Sequence, residues 1–276
     1  MAEIPIIDLS TKTLDTSSSS WVSACKNVQH ALEEYGFFLA RYDDFPSELD
    51  KQVFDVMEEL FDLPLETKTR NSGELAYHGE SISRYVKVVS ELEQKVDKMV
   101  FESYGAEKHY ESHVGSTTYL LRTLKYSAPD SNNSSNNNNI GANIHTDKNF
   151  LTVIHQNQVN GLEIQPRNGE WFAVELPPGP GSFFVVMAGD SYQAWSNGRM
   201  YSARHQVLMK GDKPRYSLAL FSYNHGTTHI PEELVDTEHP LQFKPFDSYG
   251  LLRFYLSRAP SDMSGSSAKE YCGVTA

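Results

Sequence analysis

After Ser20 the apolar residues Val22, Cys25, Val28 and Leu32 recur every three or four positions, the spacing of one helix face, and Gly36 supplies a C-terminal stop. A second stripe, Leu49, Val53, Met57 and Leu60, predicts a helix from about Ser47 that Pro64 ends. Ser90-Glu91-Leu92-Glu93 has the form of a capping box, so a third helix is expected to begin there, turn Leu92, Val96 and Met99 inward, and stop at Gly105. Ahead of all three, the run from Ile4 to Leu9 reads as a short strand.

Beyond residue 117 the period changes. Tyr119 to Tyr126, Leu151 to Ile154, Gly161 to Gln165, Trp171 to Val174, Ser182 to Met187, His205 to Lys210 and Tyr216 to Tyr223 are short runs rich in β-branched and aromatic residues. Gly, Pro, Asn and Asp punctuate them, which predicts a sandwich or jelly roll. The Ser/Asn tract from Asp130 to Asn139 is expected to be a loop, and a last helix is expected around Ser248 to Leu256. The pattern is therefore mainly β with flanking helices. We expect one domain over 1–276, with residues 1–116 as a mostly helical part and 117–276 as the β core plus a closing helix.

Composition narrows the partners more than the fold. With 36 acidic against 24 basic residues the formal net charge is -12, a surface that repels phosphate backbones and anionic membranes. Two cysteines among 276 residues, Cys25 and Cys272, make no disulfide framework. The opening MAEIPIIDLS has no basic, apolar leader, so a cytoplasmic protein is expected, and the N-x-S matches at Asn132 and Asn133 carry little weight.

Three features of the β region carry chemistry. His145-Thr146-Asp147 places an imidazole and a carboxylate two residues apart, on one side of an extended backbone. His205 follows 58 residues after Asp147 on another predicted strand. Two His and one carboxylate form the facial triad of mononuclear Fe(II) oxygenases, which leaves positions open for a cosubstrate and O2. Arg215 and Ser217 share a strand face ten and twelve residues after His205, and a guanidinium fork with a hydroxyl suits a carboxylate. Each element is unspecific alone; their convergence on one β core is what counts.

Other polar residues read more plainly. His109 and His113 are expected on a solvated helix face beside Glu107 and Glu111, and His225 and His229 lack a third ligand. His155 faces either core or pocket, Trp195 is a core or turn aromatic, and Gly179 and Gly181 serve a turn.

The chain resembles the plant 2-oxoglutarate- and Fe(II)-dependent dioxygenases, in particular the subgroup that makes alkenyl and hydroxyalkyl glucosinolate side chains. The resemblance spans IPIIDLS, ALEEYGFF (31–38), ELFDLPLETK (59–68), HTDKNFLTVIHQ (145–156), NGLEIQPRNGEWFAVE (160–175), FFVVMAGDSYQAWSNGRMYSARHQVLM (183–209), PRYSLALFSY (214–223), PEELVDTEHPLQFKPFD (231–247) and YCGV (271–274). It implies a double-stranded β-helix (jelly roll) in which His145, Asp147 and His205 hold Fe(II). Arg215 and Ser217 would take the distal carboxylate of 2-oxoglutarate, with Tyr126 as a third contact, and Phe221 would line the substrate pocket. The implied activity hydroxylates, desaturates or dealkylates a small specialised metabolite or hormone with release of succinate and CO2, supported by ascorbate, in a monomer without nucleic-acid or membrane partners. Leu124 stands where the family usually has Asn, and several dozen residues usual after LAYHGE (75–80) are absent. Two other readings are a jelly-roll binding protein without catalysis and an oxidase that does not use 2-oxoglutarate.

Overall fold

The computed structural model describes residues 4–12, 14, 16, 18–69, 79–129, 139–178, 182–258 and 264–274. The Asp130–Asn139 tract apart from its last residue, the 70–78 stretch, and Gly179 and Gly181 lie outside the described residues. In chain order the first half holds β1 (Ile6–Asp8), α1 (Ser19–Glu34), β2 (Phe37–Arg41), α2 (Ser47–Asp62), α3 (Leu65–Thr69), α4 (Glu80–Ser103) and α5 (Tyr110–Ser116). There follow β3 (Thr117–Tyr126), β4 (Ile140–His145), β5 (Leu151–Gln156), β6 (Leu162–Gln165), β7 (Phe172–Ala173) and β8 (Phe183–Ala188). The chain closes with α6 (Asp190–Trp195), β9 (Arg204–Leu208), β10 (Arg215–Asn224), β11 (Thr227–Thr228), β12 (Phe246–Asp247), α7 (Ser248–Leu256) and α8 (Ala268–Cys272).

A six-stranded sheet in the order β1-β2-β8-β5-β10-β3 faces a four-stranded sheet in the order β4-β9-β6-β7. This is a jelly-roll core with a helical layer on its N-terminal side. The inner strands β2, β8, β5 and β10 of the large sheet are buried on both faces, and the alternation of side chains divides them between two cores. Phe38, Ala40, Val153, Phe184, Val186, Leu218 and Leu220 pack with α1, α2 and α4. Their neighbours Phe37, Leu39, Ile154, Val185, Met187 and Ala219 pack inward with Leu162, Ile164 and Val207 of the small sheet. Because β10 alternates, Arg215, Ser217 and Phe221 leave the strand on the inward side with Ala219.

The helices depart from the sequence pattern in three places. In α1 the inward stripe begins at Trp21, while Val22 is exposed. Gly36 takes φ +76°, the left-handed stop the pattern predicts. The capping box at Ser90 is not a helix start. α4 begins ten residues earlier at Glu80, so the N–H groups that Ser90 would cap already have partners, and its hydroxyl donates to the Lys87 carbonyl at 2.9 Å. The expected solvated face at His113 is also wrong. That imidazole is buried, 3.0 Å from Asp97 of α4, while His109 stays partly exposed beside Glu233. His155 lies in the core, stacked on Tyr85, and Trp195 is buried against Phe101. Among the described residues no helix is long and apolar enough to cross a membrane.

Candidate active site

β4 ends at His145, and antiparallel pairing sets it directly opposite His205 of β9. The two rings stand 4.2 Å apart between centroids. Asp147 lies in the loop beyond β4, its Oδ1 3.9 Å from His145 Nε2 and 3.8 Å from His205 Nε2. The sequence reading had the pair share one extended strand. Instead the strand stops at His145, after two register shifts in β4, and the loop returns Asp147 to the same spot.

Each side chain is aimed from behind. His145 Nδ1–H donates to the Asn143 carbonyl at 2.7 Å and His205 Nδ1–H to the Ala203 carbonyl at 3.3 Å, which leaves both Nε2 atoms as free acceptors. Asp147 Oδ2 accepts from the Thr152 hydroxyl at 2.6 Å, which turns Oδ1 toward the imidazoles. Burial pushes the His205 imidazole down to about 4, so it is neutral at physiological pH. Burial would raise the Asp147 carboxyl, but the facing His205 and His145, the Thr152 hydroxyl and the Lys148 ammonium together hold it below the usual range. Two imidazole nitrogens and one carboxylate oxygen, all within 4.8 Å of one another, are a fit for a divalent metal of the iron type.

The loop is bolted to the start of α6. Asp190 N–H donates to the Asp147 carbonyl at 2.8 Å, and the Ser191 hydroxyl to the Lys148 carbonyl at 2.7 Å. Lys148 Nζ meets Asp190 Oδ2 at 2.9 Å in a fully buried pair and donates to the Thr146 hydroxyl at 2.5 Å. Asp190 also accepts from the Ser202 hydroxyl and the Ser267 N–H, so one carboxylate gathers the loop, the approach to β9 and the chain end.

Arg215 and Ser217 open the same cavity of about 290 Å³ that the triad lines. The guanidinium donates to Ser217 Oγ at 3.2 Å and to Gln156 Oε1 at 2.7 Å, and lies over the Tyr126 ring at 5.3 Å. Tyr126 is its cross-strand partner on β3, and Gly141 of β4 gives that ring its room. Arg215 is 1% exposed, its Nε has no partner, and burial drags its pKa down to about 10. Among the residues that line the cavity the one carboxylate is Asp147, so this buried cation has no counter-ion of its own. A ligand carboxylate would supply one. Leu124 and Phe221 line the cavity, as do Tyr223, Leu252 and Tyr255.

Every residue singled out for this site therefore lies in one cavity. Sequence reasoning missed Thr152, Gln156, Lys148 and Asp190. Thr152 and Gln156 sit five and nine residues after Asp147, and the signal for both was polar side chains inside an otherwise apolar strand. For the Lys148–Asp190 pair no local signal exists, since the partners are 42 residues apart.

Two family models match: the non-haem dioxygenase in morphine synthesis N-terminal family over residues 4–119 and the 2OG-Fe(II) oxygenase superfamily over 117–223. The chain is 37% identical to a probable 2-oxoglutarate-dependent dioxygenase, AOP1, of Arabidopsis thaliana, over 93% of this chain and 98% of that one. The alignment runs over 297 positions against a 276-residue chain, so the relative carries segments without a counterpart here. Among solved structures, the rice dioxygenase for auxin oxidation is similar with a TM-score of 0.82 and 25% identity, over 98% of this chain and all of that one. The dioxygenase for auxin oxidation 1 from Arabidopsis thaliana, in its binary complex with 2-oxoglutarate, shares the fold, with a TM-score of 0.73 at 24% identity, over 86% and 100% of the two chains.

Proposed function

The chain belongs to the 2-oxoglutarate-dependent dioxygenases, and on that premise we propose that it hydroxylates, desaturates or dealkylates a small metabolite or hormone at the His145, Asp147 and His205 site. In this reading His145 Nε2, His205 Nε2 and Asp147 Oδ1 hold Fe(II), and Arg215, Ser217 and Tyr126 bind the distal carboxylate of 2-oxoglutarate. Together the bound ion and cosubstrate supply oxidative decarboxylation: O2 and 2-oxoglutarate are consumed, succinate and CO2 leave, and the second oxygen atom is available to oxidise a C–H bond.

The chain's own residues do the rest. The Asn143 and Ala203 carbonyls fix both imidazoles in the tautomer that offers Nε2. The Thr152 hydroxyl and the Lys148–Asp190 pair keep Asp147 on the same face as the rings. Arg215 would hold the cosubstrate by its distal carboxylate within the cavity that the triad lines. Phe221, Leu124 and Tyr223 keep the upper part of the cavity largely apolar and limit water around the reacting carbon.

One observation carries the proposal: a buried guanidinium without a counter-ion opens into the cavity that holds the triad. An Fe(II) oxidase that dispenses with 2-oxoglutarate would need another carboxylate for that cation, and a binding protein without catalysis has no need of the triad beside it. The test is succinate release by the Fe(II)-loaded protein with ascorbate and 2-oxoglutarate, alongside His205→Ala. We expect wild-type succinate formation and at least about a hundredfold loss in the variant, with Fe(II) uptake lost in equilibrium dialysis. Full uptake and turnover by His205→Ala would overturn the ligand assignment.

A further inference from the structure

A second cavity, of about 320 Å³, lies on the other face of the strands that wall the first. Side chains of β3 and β10 alternate, so Leu124, Ala219 and Phe221 reach the cavity of the triad while Leu121, Thr123 and Leu220 reach the one behind it. Leu121 and Leu220 are directly opposed across the two strands, which puts both on this rear face. Two helices complete the wall, α2 with Val56 and Leu60 and α4 with Ile82 and Val86. The stripe Leu49, Val53, Met57 and Leu60 predicts all four inward; the first three are buried, while Leu60 stays half-buried at this cavity.

The hollow is apolar and without charge. Val56, Leu60, Ile82, Val86 and Leu121 are each only half-buried, and they surround one space. Side chains around such a space forgo the dispersion contacts of a packed core, and an apolar wall gives ordered water nothing to bond. Among the described residues that line it there is no Asp, Glu, Lys, Arg or His. The Tyr119 hydroxyl is already engaged, donating to Glu93 Oε2 at 2.8 Å and accepting from Gln94 Nε2 at 3.2 Å, so Thr123 offers the remaining hydroxyl. The two cavities therefore differ in what they can receive. The front one holds the Arg215 cation and the triad; the rear one has no group to offset the desolvation of a charge.

We propose that the rear cavity is a second binding site, distinct from the active site, for a neutral and largely apolar small molecule. Its volume falls at the lower end of the range for small-molecule sites, roughly 300–1,000 Å³, and an apolar wall with one or two hydroxyls is the usual composition of such sites. A protein partner would need a face of roughly 800 Å². This hollow is instead walled on three sides, by α2, α4 and the β3–β10 pair, and suits a compact aryl or alkyl body with a single hydroxyl able to meet Thr123. The site does not depend on the metal or on 2-oxoglutarate, since none of the residues assigned to them lines it.

The test uses full-length protein loaded with Mn(II) and saturated with 2-oxoglutarate, so that no turnover intervenes, and reads binding by titration calorimetry. The probes are 4-phenylbutan-1-ol and 4-phenylbutan-1-amine. We expect the alcohol to bind once per chain with a Kd of roughly 10–100 µM, and the ammonium, buried there without a partner, to bind at least about tenfold more weakly. Val86→Trp and Leu60→Trp fill the cavity from two different helices. Each should weaken the alcohol at least about tenfold while its 2-oxoglutarate affinity stays within about twofold of the wild type, which also shows that the variant is folded. Phe221→Trp, which narrows the front cavity, should leave the alcohol's affinity unchanged. The proposal fails if the alcohol does not bind, if the amine binds equally well, if both cavity-filling variants keep the wild-type affinity, or if Phe221→Trp removes binding. Light scattering of the ligand-free protein checks for a second copy seated on the cavity; a dimer that Val86→Trp dissociates would overturn the proposal as well.

Discussion

Replacing Arg215 by Met separates a cation that supports the fold from one that waits for an anion, because the two roles predict opposite signs. In the ligand-free protein the guanidinium is 1% exposed and burial draws its pKa down to about 10, well below the ordinary arginine value. A base whose folded pKa lies below its unfolded value is charged at a penalty in the fold at every pH below that lowered value. Here the penalty at neutral pH is roughly 3 kcal/mol. Met fills similar volume without charge and removes it. The substitution also strands Ser217 Oγ and Gln156 Oε1, each at about 1 kcal/mol. The penalty removed is the larger quantity, so ligand-free Arg215→Met should melt at the wild-type temperature or roughly 2 °C above it.

The sign reverses once 2-oxoglutarate is present. At a concentration 100 times its Kd, a ligand stabilises the fold by about 2.7 kcal/mol, roughly 5–8 °C in a chain of this size. Loss of the fork should weaken 2-oxoglutarate by about 10²–10³-fold, so the same concentration would stabilise the variant hardly at all. Differential scanning fluorimetry on Mn(II)-loaded protein, with and without 2-oxoglutarate, reads both halves. A variant that keeps the full ligand-induced shift would refute Arg215 as the carboxylate site. A ligand-free variant that melts about 8 °C lower would refute the idea that the cation is uncompensated.

Three further outcomes follow from the same geometry. Asp190→Asn leaves Lys148 buried without a counter-ion, and should cost about 3–5 kcal/mol, or roughly 10 °C in a thermal melt; adding Lys148→Met should restore part of it, and a melt unchanged by Asp190→Asn would rule the clamp out. Gly141→Ala sets a methyl 2.6 Å from Tyr126 Cδ1, so the ring must leave its place over Arg215. Titration calorimetry should then show 2-oxoglutarate weakened about fivefold, and an unaltered affinity would show that the stacking is not used. Glu93, four residues before Asp97 on α4, has its carboxyl raised well above the usual range by burial and by the Asp97 charge. A carboxyl raised in the fold contributes stability below its unfolded pKa, near 4.5, that is lost as pH rises toward the folded one. Glu93→Gln should therefore gain on the wild type in urea melts from pH 5 to pH 8, and a constant difference across that range would contradict it.

What the residues disclosed in advance, and what they concealed, follows from the range of the forces involved. The stripes that became α1 and α2 and the runs that became β3, β5, β6, β8, β9 and β10 were legible because burial on one face leaves a period in the chain. The capping box at Ser90 misled because it is a local signal. Whether Ser90 has free N–H groups to cap depends on the turn before it, and α4 had already begun at Glu80. β4 escaped notice for a related reason. Ile140-Gly141-Ala142-Asn143-Ile144-His145 is weakly alternating, shifts register twice against β9, and is held by its partner strand more than by its own composition.

The site was legible as chemistry before it was legible as geometry. His145, Asp147, His205, Arg215 and Ser217 stand out because no packing rule asks for them at those places. Their supports do not stand out. His113 reads as a surface histidine until Asp97 and Asn224 close around it, and Asp190 draws no notice until Lys148, Ser202 and Ser267 converge on it. A side chain that touches ligand is constrained by the ligand's chemistry, which is the same in every chain that binds it, and so it leaves a motif. A side chain that positions another is constrained by this fold's own spacing, and that is written across three or four distant segments at once.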